Sequence, residues 1–323
     1  MHPVTAVCTT ALLLLLPAIS ASAQTGFPTR TVKMVVPFPG GGINDILARI
    51  VGDKLQSKWA QPVVIENKTG AGGNIGADLA YHAEPDGYTL LLGPPGPVAI
   101  NRSLYRQLSY KPQEFVPITV VGAVPNVVIV RKELPANSLK ELIDYIKANP
   151  GKVTFGSQGN GATPHLTAVM FQSMTGTQMV HVPYRGETLV LNDMFGGHVD
   201  VFFGNLAAVK SHFREGRLKI VALADLRRSP QLPEIPTTAE AGLPGLVATA
   251  WFALAGPPKL APALASTIAR DSIEAINLTE VQAKLRAAGV EPVGNTPTEM
   301  AAFVAKEAQR WGDVIKQNNI AVE

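Results

Sequence analysis

The sequence has a single cysteine, Cys8, in 323 residues. It stands ahead of the apolar run Ala11 to Leu16, inside a stretch that reads as a removable leader, so the chain beyond residue 23 would carry no thiol. Disulfides, zinc–thiolate sites and cysteine nucleophiles are excluded there. His181, His198 and His212 are scattered without metal-ligand spacing, so neither a metal nor a cofactor is expected. Charge is scarce as well. Charged residues make up 16% of the chain, and Lys+Arg 28 against Asp+Glu 25 leaves a formal +3 with no basic block, which argues against nucleic acid and anionic membrane surfaces as partners. Beyond the leader no apolar run is long enough to span a bilayer, so a water-soluble product is expected. Without disulfides such a chain depends on buried core, which about 300 residues supply in one or two domains.

The leader itself occupies residues 1–23. It holds no charged side chain apart from His2, its apolar core is too short to cross a membrane, and Ala21-Ser22-Ala23 fits the small-x-small cleavage pattern. This predicts export to the periplasm with cleavage after Ala23.

Glycine (29) and proline (26) are plentiful, and they punctuate a repeating grammar. An apolar strand over residues 32–36 runs into Pro37-Phe38-Pro39-Gly40-Gly41-Gly42 and then a helix opening at Asn44 and Asp45. Such a turn sets the free N–H groups of a helix at the end of a strand, where the dipole favours an anion. Strand, glycine loop and helix recur at Gly70-Ala71-Gly72-Gly73-Asn74-Ile75-Gly76, and a third strand closes in Gly93-Pro94-Pro95-Gly96-Pro97. Past a β-rich run over residues 118–131, a candidate crossover, the grammar returns. Residues 153–155 meet the loop Gly156 to His165, and residues 179–182 meet Pro183-Tyr184-Arg185-Gly186-Glu187. The alternation predicts an α/β protein with mostly parallel sheets, which bind ligands at the carboxyl ends of their strands. The chain ends in helices, the last opened by a capping box at Thr296 and Glu299 with Pro297 between them.

Three chemistries fit these loops. Gly156-Ser157-Gln158-Gly159 is half of a nucleophile elbow, but Phe155 stands where the elbow needs glycine. Gly70, Gly72 and Gly76 approach a dinucleotide fingerprint, one residue too long and without a well-placed acid or P-loop lysine. The third reading uses every loop at once. The turns at Gly40–Gly42, Gly93–Gly96, Gly156–Ala162 and Tyr184–Glu187 converge on one cleft between two domains, offering backbone N–H groups, the hydroxyls of Ser157, Thr163 and Tyr184, and the amides of Asn44, Asn160 and Asn205. That set suits holding a small carboxylate without transforming it.

The order of motifs resembles the Bug family, the periplasmic solute receptors of tripartite tricarboxylate transporters. Carrying the resemblance are Val35-Val36-Pro37-Phe38 with its glycine loop and Asp45, the segment 70–76, Asp86-Gly87-Tyr88-Thr89-Leu90-Leu91, Gly159-Asn160-Gly161 with His165, His181-Val182-Pro183-Tyr184, Asn205-Leu206, Arg228-Ser229-Pro230 and Ala239-Glu240-Ala241-Gly242-Leu243-Pro244-Gly245. It implies a two-lobed periplasmic-binding-protein fold of the Venus flytrap kind, not an enzyme, with lobe 1 from residues 24–125 and 246–323 and lobe 2 from 126–245. The ligand would be a small organic acid or amino acid. Partners would be the permease subunits of the transporter or a membrane sensor kinase, and the receptor itself a monomer. The ligand contacts expected on both grounds are Phe38, Pro39, Gly40, Gly41, Asn44 and Asp45, the last a cap that orders its helix. They continue with Gly93, Pro94 and Pro95, then Ser157, Asn160, Gly161, Ala162, Thr163 and His165, and finally Tyr184, Gly186, Glu187, Gly204 and Asn205. Three positions depart from the family pattern: Gly40 replaces a proline, Gly204 an aspartate, and Arg185-Gly186-Glu187 a lysine, a glycine and a small residue. The departures motivate two expectations, that Glu187 faces an amine or hydroxyl of the ligand or that Arg185 pairs with a distal carboxylate.

Overall fold

The computed structural model describes residues 26–318 and 320–321, so the leader expected over residues 1–23 lies outside the described residues. The strand β1 (Val32–Val36) is buried at four of its five positions, as a strand covered on both faces must be. After it, α1 (Ile43–Trp59) repeats Leu47, Val51, Leu55 and Trp59 at four-residue intervals and buries that stripe. β2 (Val63–Asn67), α2 (Asn74–Tyr81) and β3 (Thr89–Gly93) complete the first unit, with β2 and β3 both parallel to β1. The Gly93-to-Pro97 stretch, which reads as a loop, is helical from Gly96 onward and continues into α3 (Asn101–Leu104).

The β-rich run resolves into two strands of two different sheets, β4 (Val116–Pro125) and β5 (Val127–Arg131), with Asn126 between them. Then follow α4 (Leu139–Ala148), β6 (Thr154–Ser157), α5 (Thr163–Thr175), β7 (Val180–Pro183), α6 (Glu187–Phe195), β8 (Val201–Phe202), α7 (Leu206–Arg214) and β9 (Leu218–Leu223). The proline-rich passage 230–244 holds no regular element, and the chain returns as β10 (Thr249–Gly256). It finishes with α8 (Pro262–Asn277), α9 (Thr279–Ala287), β11 (Glu291–Pro292) and α10 (Pro297–Gln317). α10 starts with the expected capping box between Thr296 and Glu299. None of the described helices is long and apolar enough to cross a membrane.

Two sheets result, ordered β11-β4-β10-β3-β1-β2 and β7-β6-β8-β5-β9. They are mixed, not mostly parallel as the repeating grammar suggests. β10 runs antiparallel to both β3 and β4, and β5 antiparallel to β8 and β9. The reason is connectivity: β4 leaves the first sheet toward the second and β10 comes back, so the two must oppose each other. The parallel strands β1, β3, β6, β7 and β8 supply the turns that meet between the sheets.

At the crossing the backbone is tied together. Asn126 N–H donates to Ala248 O at 2.9 Å, Ala224 N–H to Asn126 O at 2.8 Å, and Ala248 N–H to Ala224 O at 2.9 Å. α10 lies over this junction. Its Trp311 and Ile315 pack with Ile100 and Leu104 of the first lobe and Leu166 of the second, while Met300 is buried on the first lobe and Phe303 stays partly exposed.

Candidate functional site

The first lip of the cleft is the β1–α1 turn. Gly41 sits at φ +81, a left-handed conformation that a side chain resists, and the extended Gly42 caps α1 without any side chain covering the helix end. Asp45, on the third residue of α1, accepts from Gly41 N–H at 2.9 Å and from Arg49 Nε at 2.9 Å and Nη2 at 3.0 Å. Burial alone would raise its pKa, but Arg49, the Gly41 N–H and Asn67 outweigh that and hold the carboxyl below its ordinary value. Asp45 therefore fastens the turn from behind and does not line the cleft. Asn67 Nδ2 holds Phe38 O at 3.0 Å from the other side.

Beneath this turn lies the 70–76 glycine loop. A Cβ at Gly76 would fall 2.8 Å from Pro37 Cα and 2.7 Å from Lys68 O. Gly76 thus serves close packing of one loop on another. Asn101 Nδ2 and the Tyr110 hydroxyl, both buried, donate to Asn74 Oδ1 at 2.5 and 2.8 Å and fix the loop.

On the second lobe, Ser157 ends β6 fully buried. Its Oγ lies 2.6 Å from His181 Nε2, and His181 stacks on His165 with 4.3 Å between ring centroids. Burial drives His165 down to about 3, with His181 adding to the effect, and burial drives His181 down to about 4, so both rings are neutral near pH 7. The Ser157–His181 pair resembles a nucleophile and its base, yet the serine is closed to solvent and no described carboxylate orients the imidazole. His165 Nδ1 instead accepts from Gly161 N–H at 3.2 Å.

The cleft between the lobes encloses about 720 Å³ of open space, its mouth included. From the expected contacts it gathers Phe38, Pro39, Gly40, Asn44, Pro94, Pro95, Ala162, Thr163, Gly186, Glu187 and Asn205. It does not gather the others. Gly41 is exposed and lines an adjoining groove, Asp45 lies behind the first turn, Gly93 is buried in β3, and Ser157 and His165 sit under the second lobe's surface. Asn160 and Gly161 pack on the first lobe beside Gly72 and Leu104. Tyr184 donates its hydroxyl to Asp193 at 2.6 Å, and burial together with that carboxylate pushes the phenol up to about 12. It is not free for a ligand. Gly204 is spatially obligatory, since a Cβ there would lie 2.1 Å from the Phe202 ring, which occupies the place an aspartate would need. Arg185 is exposed and lines a side groove, whereas Glu187 faces the cleft.

Gly42, Gly96 and Gln158 line the cleft from within the loops expected to converge on it, whereas sequence reasoning missed Ile43, Thr188, Gly72, Ala250 and Phe252. The last two had a signal. Ala250 and Phe252 are two apart on β10 and share a face, while Trp251 turns to α10. Four helices, α1, α5, α6 and α7, aim their N-termini at this space, capped by Gly42, Ala162, Gly186 and Asn205 without a side-chain hydrogen bond at any cap. Glu187 is the only ionisable side chain among the described residues that line it.

A family model, tripartite tricarboxylate transporter family receptor, matches residues 47–320. The chain belongs to this family. The receptor is 38% identical to protein BugT of Bordetella pertussis over 302 residues, 93% of this chain and 92% of that one. Among solved structures it is similar to R. palustris Rpa4515 with adipate, at 36% identity and TM-score 0.88 over 92% of this chain and 100% of that one. It is likewise similar to MatC from Rhodopseudomonas palustris with bound malate, at 30% identity and TM-score 0.84 over 90% of this chain and 100% of that one. The receptor is thus a periplasmic solute-binding protein of two α/β lobes, not an enzyme.

Proposed function

We propose that the receptor captures a small organic acid in the interlobe cleft and presents it to the permease subunits of a tripartite tricarboxylate transporter. The observation that carries this reading is the meeting of four helix N-termini on one cleft with no cationic side chain among its described lining residues. Their free backbone N–H groups and dipoles supply a carboxylate with donors that no salt bridge competes for. The α1 turn, preset by Asp45, is the first seat of the carboxylate. Ala162, Thr163, Gly186 and Asn205 close over the other end.

In this reading residues 24–125 and 246–323 form one lobe and 126–245 the other, with Asn126 and Ala248 as the hinge. Export with cleavage after Ala23 delivers the receptor to the periplasm as a monomer. The kinship of structures holding adipate and malate supports an acid ligand. A thermal-shift screen of organic acids against the mature protein tests the proposal. A true ligand at a hundred times its Kd stabilises the folded state by about 2.7 kcal/mol, enough for a clear rise of the midpoint. A rise with uncharged analogues and none with acids would overturn it.

A further inference from the structure

The second-lobe wall of the cleft is built for more than an anion. Glu187, on the first residue of α6, accepts on Oε2 from Gln158 Nε2 and from Asn205 Nδ2, the latter at 3.0 Å. Its Oε1 is closed off and has no partner. Asn205 is 2% exposed, and ionised Glu187 fixes its orientation: a carboxylate only accepts, so Nδ2 must face Glu187 and Oδ1 is left without a donor. Across the cleft Asn44, 4% exposed, leaves Oδ1 without a donor as well. Three buried oxygens on one cleft therefore await donors, and one belongs to a carboxyl group.

We propose that Glu187 and Asn205 select a ligand bearing an ammonium group, so that the receptor takes an amino acid in preference to a dicarboxylate. This rests on the carboxylate reading of the same cleft. A dicarboxylate would set its second charge against Glu187 where no lining cation offsets either. A hydroxyl brings one donor to three acceptors. An ammonium brings three donors and the opposite charge, and the zwitterion leaves its carboxylate for the helix N-termini.

The other ionisable groups nearby do not take this role. Asp45 and Arg49 are paired behind the α1 turn, and Tyr184 is paired with Asp193 on α6. His165 and His181 are stacked and neutral beneath β6, and Arg185 is exposed in the side groove that adjoins the cleft at Phe38, Pro39, Gly72 and Gln158. His212 and Arg217 line the adjoining groove, which shares Glu187 as its wall, and are turned to Phe195.

Calorimetric titration of the mature protein with matched sets at several chain lengths tests this, each set holding a dicarboxylate, a hydroxy acid and amino acids with the amine near or far. At the favoured length an amino acid should bind at least about tenfold tighter than its dicarboxylate and hydroxy counterparts. Glu187→Gln should lower its affinity by at least about tenfold and improve that of the dicarboxylate. In the wild type, affinity for the amino acid should rise between pH 6 and 8 as Glu187 ionises, a readout that does not depend on the variant folding. A dicarboxylate or hydroxy acid as the tightest ligand, or an amino acid indifferent to both pH and Glu187→Gln, overturns the inference and leaves the carboxylate reading intact. If no acid of any kind binds, the carboxylate reading fails and this inference with it.

Discussion

Glu187 carries a cost when no ligand is present. Burial pushes its pKa up to about 7 from 4.5, against the pull of the Asn205 amide. The unfolded chain loses this proton near the ordinary carboxylate value, while the folded chain keeps it until about 7. Between those values the folded state binds the extra proton, so raising the pH erodes stability, and above about 7 the whole penalty is felt. The shift corresponds to at most on the order of 3 kcal/mol. Glu187→Gln removes the titration. Chemical denaturation of ligand-free wild type and variant should therefore give similar stabilities at pH 4.5 and a growing advantage for the variant up to pH 7.5. A constant difference across that range would mean that Glu187 is solvated. This residue was legible in the sequence as a departure from its family's pattern. Its neighbours Ser157 and Tyr184 were misplaced for one reason: their hydroxyls are taken by His181 and Asp193, 24 and 9 residues away, and tertiary pairing at such distances leaves no local trace.

At the level of elements, the parallel strand-loop-helix units were readable because apolar strands, glycine turns and capped helices are each written within a few residues. The antiparallel half of each sheet was not readable, since it follows from where the chain crosses between lobes. The β1–α1 turn shows both sides. Its glycines announce an anion-binding turn, but only the fold reveals that Asp45 is a brace shared by Gly41 and Arg49 and not a helix cap. Asp45→Ala should free the Gly41 N–H and leave Arg49 without its partner, a loss of about 1–3 kcal/mol in stability. That contribution fades as pH falls below the ordinary carboxylate range, because the folded-state pKa is depressed. Ligand affinity should fall with stability, since the seat for the carboxylate is no longer preset. Denaturation and calorimetry on the one variant measure both. Lost stability with full affinity would show that the turn reorders on the ligand at no cost.

For the whole molecule, binding between two lobes stabilises the closed form only through contacts that the open form lacks. One place where the lobes meet is backbone on backbone. Gly289 follows α9 in the first lobe at φ +83, and a Cβ there would lie 2.6 Å from Ala207 Cα on α7 of the second. Gly289→Ala thus adds two effects, the strain of a left-handed alanine and a collision between lobes. Gly176, at φ +64 with nothing within 4 Å of a Cβ, separates them. Both variants should lose about 1 kcal/mol of stability from the backbone term. Only Gly289→Ala should also keep the lobes apart, lowering ligand affinity by about tenfold or more and leaving the scattering envelope at saturating ligand as wide as that of the ligand-free wild type. Equal affinities for the two variants would mean that α7 and α9 do not approach further when the ligand binds, and that closure is governed by the loops around Pro39 and Gly186 alone.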